Sequence, residues 1–203
     1  MTRRAITALT IAALAAFVPS AASSAGTNPP REFAGTGTIE LAFTPGDPVD
    51  AKLVAEIAAA QREILVLVFA FTQPKLSRAL AAARERGVAV EIVADREQAL
   101  DVAQSAVPAL AREGTPVWLD GNFANAHNKV IVIDADLPRA TTITGSYNFT
   151  IGAQLHNAEN VVIFRDNPEI ARAYRTYFRR LQARAQRWTG GELPALPRPQ
   201  HRR

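Results

Sequence analysis

Residues 127–134 read His-Asn-Lys-Val-Ile-Val-Ile-Asp, β-branched apolar residues with a histidine and a lysine at one end and an aspartate at the other. In an extended chain side chains alternate between faces, so His127 and Lys129 share a side and Asn128 opposes them. Imidazole, with an unperturbed pKa of about 6.5, can serve as a nucleophile at physiological pH. An ammonium two residues on can hold the anion being attacked. Asp134 lies at odd separation from both, so it is expected to act from the strand end as a cap or orienting carboxylate. Downstream, Gly145-Ser146-Tyr147-Asn148 supplies a hydroxyl, an amide and a glycine that lets the backbone approach a ligand, all suited to an oxyanion. Glu159-Asn160 then places a carboxylate at the head of the next apolar run. Each piece alone is ordinary; together they are specific.

These residues need a scaffold that brings separated segments to one place. Strands are expected over residues 37–43, 64–71, 88–93, 116–119, 129–134, 141–144 and 160–164, from short β-branched or continuous apolar runs bounded by turn residues. Helices are expected over residues 50–62, from Pro74 to Gly87, over 96–113 with an interruption near Pro108, and from Asn167 to about Trp188. Asparagine before proline marks the start of the last helix. The run 64–71 is apolar throughout, as in a strand covered on both faces. Strand and helix alternate, so the fold class is α/β, with a mixed, largely parallel sheet sandwiched between helices.

His127, Lys129 and Asp134 fit the His-x-Lys-x4-Asp motif of the phospholipase D superfamily, and Gly145-Ser146-x-Asn148 fits the element that follows it there. The chain most resembles the small, exported, single-motif bacterial nucleases of that superfamily. The likeness extends over Ala42-Phe43-Thr44-Pro45-Gly46, Ala70-Phe71-Thr72, Arg86-Gly87-Val88, Val93-Ala94-Asp95 and Glu159-Asn160-Val161-Val162-Ile163. One departure is visible: ten residues separate Asp134 from Gly145, more than the family's usual spacing, so residues 135–140 are expected to form a longer hairpin loop. The resemblance implies a covalent phosphohistidine at His127, with Lys129, Asp134 and Glu159 as its catalytic companions and Lys129, Ser146 and Asn148 as the phosphate's ligands. It also implies that Glu159 accepts from the far nitrogen of His127 and fixes its tautomer. Leaving-group protonation calls for a second histidine. His156 has no lysine two residues on, and His201 stands near the chain's end. The resemblance therefore implies a homodimer in which two copies of His127, Lys129 and Asn148 form one site on a two-fold axis. Two lysines at the phosphate leave a divalent metal without a task, so no metal or cofactor is expected and activity should persist in chelator.

Composition bounds the rest. The chain has 203 residues and no cysteine, which excludes a disulfide framework and thiolate metal sites, and its three histidines are scattered. Residues 1–25 carry Arg3 and Arg4, then an apolar run of 14 residues, then small residues. This is the layout of a signal peptide cleaved near Ala25, implying export to the periplasm or the exterior, and the run is shorter than the roughly 20 residues of a membrane span. Residues 26–189 are expected to form one catalytic domain, and 190–203, rich in proline and arginine, a disordered tail. Removing residues 1–25 would leave 21 basic against 19 acidic residues. Yet Arg165, Arg172, Arg175, Arg179, Arg180, Arg184 and Arg187 crowd the last helical stretch, which admits either an anionic partner or a solvated helix face. Three functions follow: a sequence-tolerant nuclease, a phospholipase acting on a headgroup diester, and a module that binds phosphate without turnover. The last would need neither the histidine nor its orienting carboxylate. The first two present the same diester and differ only in the groove expected, cationic and open or rimmed by apolar residues.

Overall fold

The computed structural model of the protein describes residues 30–191, so the signal segment and all but the first two residues of the expected tail lie outside the described residues. From Phe33 onward these residues belong to one unit built on an eight-stranded sheet of order β1-β7-β6-β5-β2-β3-β4-β8. In chain order the elements are β1 (Thr38–Thr44), α1 (Val49–Ala59), β2 (Glu63–Val68), α2 (Pro74–Glu85), β3 (Ala89–Asp95), α3 (Arg96–Leu100) and α4 (Val107–Arg112). Then follow β4 (Val117–Asp120), β5 (Lys129–Ile133), β6 (Thr141–Gly145), α5 (Ile151–Leu155), β7 (Glu159–Arg165), α6 (Pro168–Gln182) and β8 (Gln186–Trp188).

The sheet is mixed and lies between helices, as expected, but its parallel part is narrow. Only β2-β3 and β3-β4 pair in parallel, joined by helical crossovers, while the other five pairings are antiparallel. The reason is local: β5 and β6 form a hairpin with a seven-residue connection, 134–140, as the long spacing before Gly145 implied. A hairpin connection can only reverse the chain, whereas a parallel pair needs a crossover.

Register sorts the side chains into two cores. Ile64, Val66 and Val68 of β2 with Ile131 and Ile133 of β5 face α1 and α2, which contribute Leu53, Ile57, Leu76 and Leu80. Leu65, Leu67, Val130 and Val132 face the opposite way, onto Ala171, Phe178 and Leu181 of α6. Both faces of β2 are thus buried, which explains its unbroken apolar run. In α6 the buried positions 171, 178 and 181, with the partly buried Tyr174, recur at helical spacing. The aromatic residues of this helix serve the core, and its arginines point elsewhere.

The helix expected to reach Trp188 instead ends at Gln182. Residues 186–188 add β8 to the free edge of β4, with Trp118 opposite Arg187, because an unpaired edge offers those backbone groups partners. The helix expected over 96–113 is two helices, and Pro108 opens the second at its first turn rather than breaking one long helix. The short helix α5, capped by the Thr150 hydroxyl accepting from Ala153 N at 3.0 Å, was not foreseen.

Asp134 ends β5 with φ of 52° and is 4% exposed. Its carboxylate accepts from three successive backbone amides at the entry to β2: Gln61 N at 2.8 Å, Arg62 N at 2.7 Å and Glu63 N at 3.0 Å. Alanine here would orphan these donors and adopt a left-handed backbone that favours aspartate and asparagine. Asp134→Ala should therefore lower unfolding free energy in urea by about 2–4 kcal/mol. Asp134→Asn should cost less, since one oxygen still accepts.

Candidate active site

The strand ends decide where chemistry can occur. The carboxyl ends of β2, β3, β4 and β6, and the amino ends of β5 and β7, lie on one side of the sheet, as the pairings Val68–Lys129, Asp95–Asp120 and Gly145–Val161 require. Lys129 opens β5 there, and His127 stands two residues before it. A ligand crevice outside the carboxyl ends of parallel strands is the common arrangement in open α/β sheets.

His127 is exposed and Lys129 is 6% exposed. Phe69, where the chain leaves β2, joins them: its ring centroid is 4.4 Å from that of His127, and the Lys129 ammonium lies 4.8 Å from it. Phe69 N donates to Asn128 O at 2.8 Å, which fixes this residue beside the two functional side chains. The Lys129 Nζ donates to His127 O at 3.4 Å. Burial holds the pKa of Lys129 below the ordinary lysine value, and the nearby carboxylates of Glu159 and Asp95 act against that drop. The result is a poorly solvated cation two residues from an open imidazole, and low solvation strengthens its interaction with an arriving anion.

Gly145 ends β6 with φ of 149°, and a Cβ there would stand 2.1 Å from Asn160 O. Only glycine lets this turn press against β7. Ser146 N then donates to Asn160 O at 3.0 Å. The Ser146 hydroxyl donates to Glu159 at 2.5 Å and accepts from Asn160 N at 3.1 Å. Tyr147 is 1% exposed; burial raises its hydroxyl pKa, so it stays a neutral donor, and it donates to Gln154 at 3.3 Å. The Asn148 side-chain oxygen is buried and has no hydrogen-bond partner among the described residues, so its polar capacity is uncommitted.

The site therefore gathers His127, Lys129, Ser146, Asn148 and Glu159, and leaves out Asp134. That residue lies at the opposite end of β5, about 17 Å along the strand from Lys129, so its place among the catalytic residues is corrected to that of a strand-end clamp. It meets the expectation that it caps the strand. The role foreseen for Glu159 also changes: its carboxylate takes hydrogen bonds from Ser146 and, at 3.0 Å, from Asn157, and among the described residues none from His127. Glu159 instead sets the field around Lys129.

Two contributors were not read from the sequence. Asp95 accepts from Ala126 N at 2.8 Å, pinning the loop immediately before His127, and its charge reaches Lys129. Phe69 is hidden in an apolar run where nothing distinguishes it from core, whereas an aspartate ending such a run was a usable signal.

An open α/β sheet presenting a histidine, a desolvated lysine and polar side chains at converging strand ends is an arrangement suited to an anionic ligand. The family model described as "Cardiolipin synthase, PLD-like domain" matches residues 53–182. The chain is 36% identical over 136 residues to a "Phospholipase D" of Rickettsia felis, covering 67% of this chain and 65% of that protein. It is 32% identical over 135 residues to a "Mitochondrial cardiolipin hydrolase" of Xenopus laevis, covering 66% and 61%. Among solved structures, Nuc from Salmonella typhimurium, described as a phospholipase D family member, superposes with a TM-score of 0.68 at 28% identity, covering 74% of this chain and 97% of that one. The chain belongs to the phospholipase D superfamily. It spans just under two thirds of the length of the Rickettsia relative.

The electrostatics can be checked directly, because the chain has only three lysines, Lys52, Lys75 and Lys129. Glu159→Gln removes a charge that raises the Lys129 pKa, so an NMR titration of isotope-labelled lysine should show Lys129 deprotonating at lower pH than in the wild type.

Proposed function

We propose that the protein is an exported phosphodiester hydrolase acting on nucleic acid without a metal, through a phosphohistidine at His127. The observation that carries this reading is that one ring, Phe69, contacts both an exposed imidazole and a desolvated ammonium. In the first step a nitrogen of His127 attacks phosphorus, the bond from phosphorus to the leaving oxygen breaks, and an acid protonates that oxygen. In the second, water attacks phosphorus and gives a proton to the group that served as acid, the bond from phosphorus to nitrogen breaks, and the monoester departs. Lys129 stabilises the charge that develops on the phosphoryl oxygens, with the side-chain NH2 of Asn148 as a further donor, while the Ser146 hydroxyl, whose proton goes to Glu159, positions that carboxylate.

The acid is His127 of a second copy. Two features support the pairing. Each chain brings a single histidine flanked by this machinery, and His156, exposed at the end of α5, engages only through its backbone among the described residues. Moreover, α6 leaves part of its own sheet face bare. Leu41 lies opposite Val162, Val162 opposite Thr144 and Thr144 opposite Val130, which α6 covers, so Ile39, Leu41 and Phe43 continue that apolar face. They are 59%, 58% and 56% exposed. The bare face reaches the site at Phe43, whose opposite residue Asn160 follows Glu159. Leu41→Asp should convert a dimer to monomers in sedimentation and reduce activity with it, whereas His127→Ala should leave the dimer intact.

A second reading, a phospholipase, is favoured by the names of the relatives and by exposed Ile151 and Leu155 on α5, next to the Asn148 turn. One assay separates the two: full-length protein in excess EDTA, with plasmid DNA and phosphatidylcholine vesicles in parallel. DNA cleavage that persists in EDTA and falls at least about a thousandfold in His127→Ala supports the nuclease. Headgroup release with intact DNA supports the phospholipase. His156→Ala should keep wild-type activity.

A further inference from the structure

The arginines near α6 divide into paired and unpaired, and two of the unpaired ones stand near the site. The helix runs from the end of the sheet remote from His127 toward the site end, since β7 finishes at the remote end and β8 begins opposite Leu119 near the carboxyl end of β4. Most cations at the remote end and midway are occupied; the exposed Arg172 is the exception, with no ion pair among the described residues but a place far from His127. Arg165 pairs with Glu40 and Glu56, Arg175 with Asp136 and Glu63, and Arg179 with Glu91. Arg180 and Arg184, closest to the site end, make no ion pair among the described residues. The Arg180 guanidinium lies 5.1 Å from the Tyr177 ring centroid, and that of Arg187, which shares the field of Glu91, lies 5.4 Å from Trp118. Stacking fixes the plane of a guanidinium while leaving its edge donors free.

The loop 121–126 is fastened to this cationic end. Asn122 donates to the backbone carbonyl of Arg184 at 2.9 Å, and Asp120 accepts from both the backbone and the side chain of Asn122 at 3.0 Å. At the other end Asp95 holds Ala126. Between these pins Phe123 is 43% exposed, with Asn122, Ala124 and Asn125 as neighbours. It lies four residues before His127, within about 14 Å along the chain. An aromatic ring held out to solvent between two anchored points, beside uncommitted guanidinium groups, is the composition of a base-stacking platform flanked by phosphate ligands. A lone ring among asparagines and arginines is not an apolar rim for a bilayer.

We propose that Phe123 together with Arg180 and Arg184 forms a docking track for single-stranded nucleic acid. Phe123 stacks on a base near the phosphate that His127 attacks, and the arginines hold phosphates farther along the strand. A duplex keeps its base faces covered and gains nothing from Phe123. The inference rests on the nuclease reading above and narrows its substrate to the single strand.

The test uses the full chain carrying His127→Ala, so that binding is read without turnover. Fluorescence anisotropy follows a labelled single-stranded oligonucleotide and its duplex, with phosphatidylcholine vesicles in a separate flotation assay. The single strand should bind more tightly than the duplex. Adding Phe123→Ala should weaken single-strand binding roughly 5- to 100-fold with its salt dependence unchanged. Adding Arg184→Gln should weaken it and make the slope of log affinity against log salt shallower by about 0.7. Both positions are exposed, so thermal melting should match the parent. Equal affinity of the Phe123→Ala protein for the single strand, or duplex binding as tight as single-strand binding, overturns the proposal. So does a dependence on Phe123 seen only with vesicles, which assigns the loop to a lipid surface. DNA cleavage by the wild-type protein without these binding effects removes the track and keeps the nuclease; the binding effects without cleavage remove the nuclease and keep the track.

Discussion

The register of β5 against β2 is the constraint on which the site depends. Side chains on a strand alternate, so a slip of one residue would turn Lys129 into the α6 core and expose Val130 in its place. Asp134 prevents that slip. It bonds three consecutive amides just where β2 begins, locking the far end of β5 while His127 and Lys129 occupy the near end. The motif's aspartate and its histidine are therefore coupled across the length of a strand: one sets the register, the other uses it.

At the near end the problem is to keep a cation charged while stripping it of water. Lys129 is enclosed by strand ends and by the Phe69 ring, and two carboxylates at different distances in sequence, Asp95 and Glu159, counteract that enclosure without either forming a hydrogen bond to it among the described residues. A direct ion pair would satisfy the ammonium and blunt its pull on a phosphate. Glu159 is kept from that pairing by its bonds to Ser146 and Asn157, and Asp95 by its bonds to Gln98 N and Ala126 N. The hydrogen bonds of the carboxylates thus preserve the reactivity of the lysine.

Much of this was legible in the sequence because it is written in local terms. Apolar alternation and turn residues marked seven of the eight strands, and Asn167 before Pro168 marked the start of α6. The histidine, lysine, serine, asparagine and glutamate of the site were legible as residue types at motif spacing. What escaped depends on contacts made only in three dimensions. β8 is three residues long and exists because β4 has an edge to fill. The antiparallel majority of the sheet follows from where connections reverse, which apolar runs do not encode. Glu159 was expected to reach His127, but Ser146 and Asn157 lie nearer in the folded turn and take its oxygens. Phe69 could not be told from its apolar neighbours, since its role comes from standing where β2 ends beside β5.

The pairing of β1 has a bearing on how the chain acquires its shape. β1 is the first strand in order and borders only β7, with Leu41 opposite Val162, so nearly the whole domain separates the two. Contacts so remote in sequence must wait for a large loop to close, which slows folding of such topologies. The second face of the sheet waits longer still, for α6 follows β7. A chain emerging residue by residue therefore cannot complete its sheet until its last quarter is available. Until then Ile39, Leu41 and Phe43 form an apolar strand without a partner, the kind of segment that chaperones bind and that aggregates when left unattended.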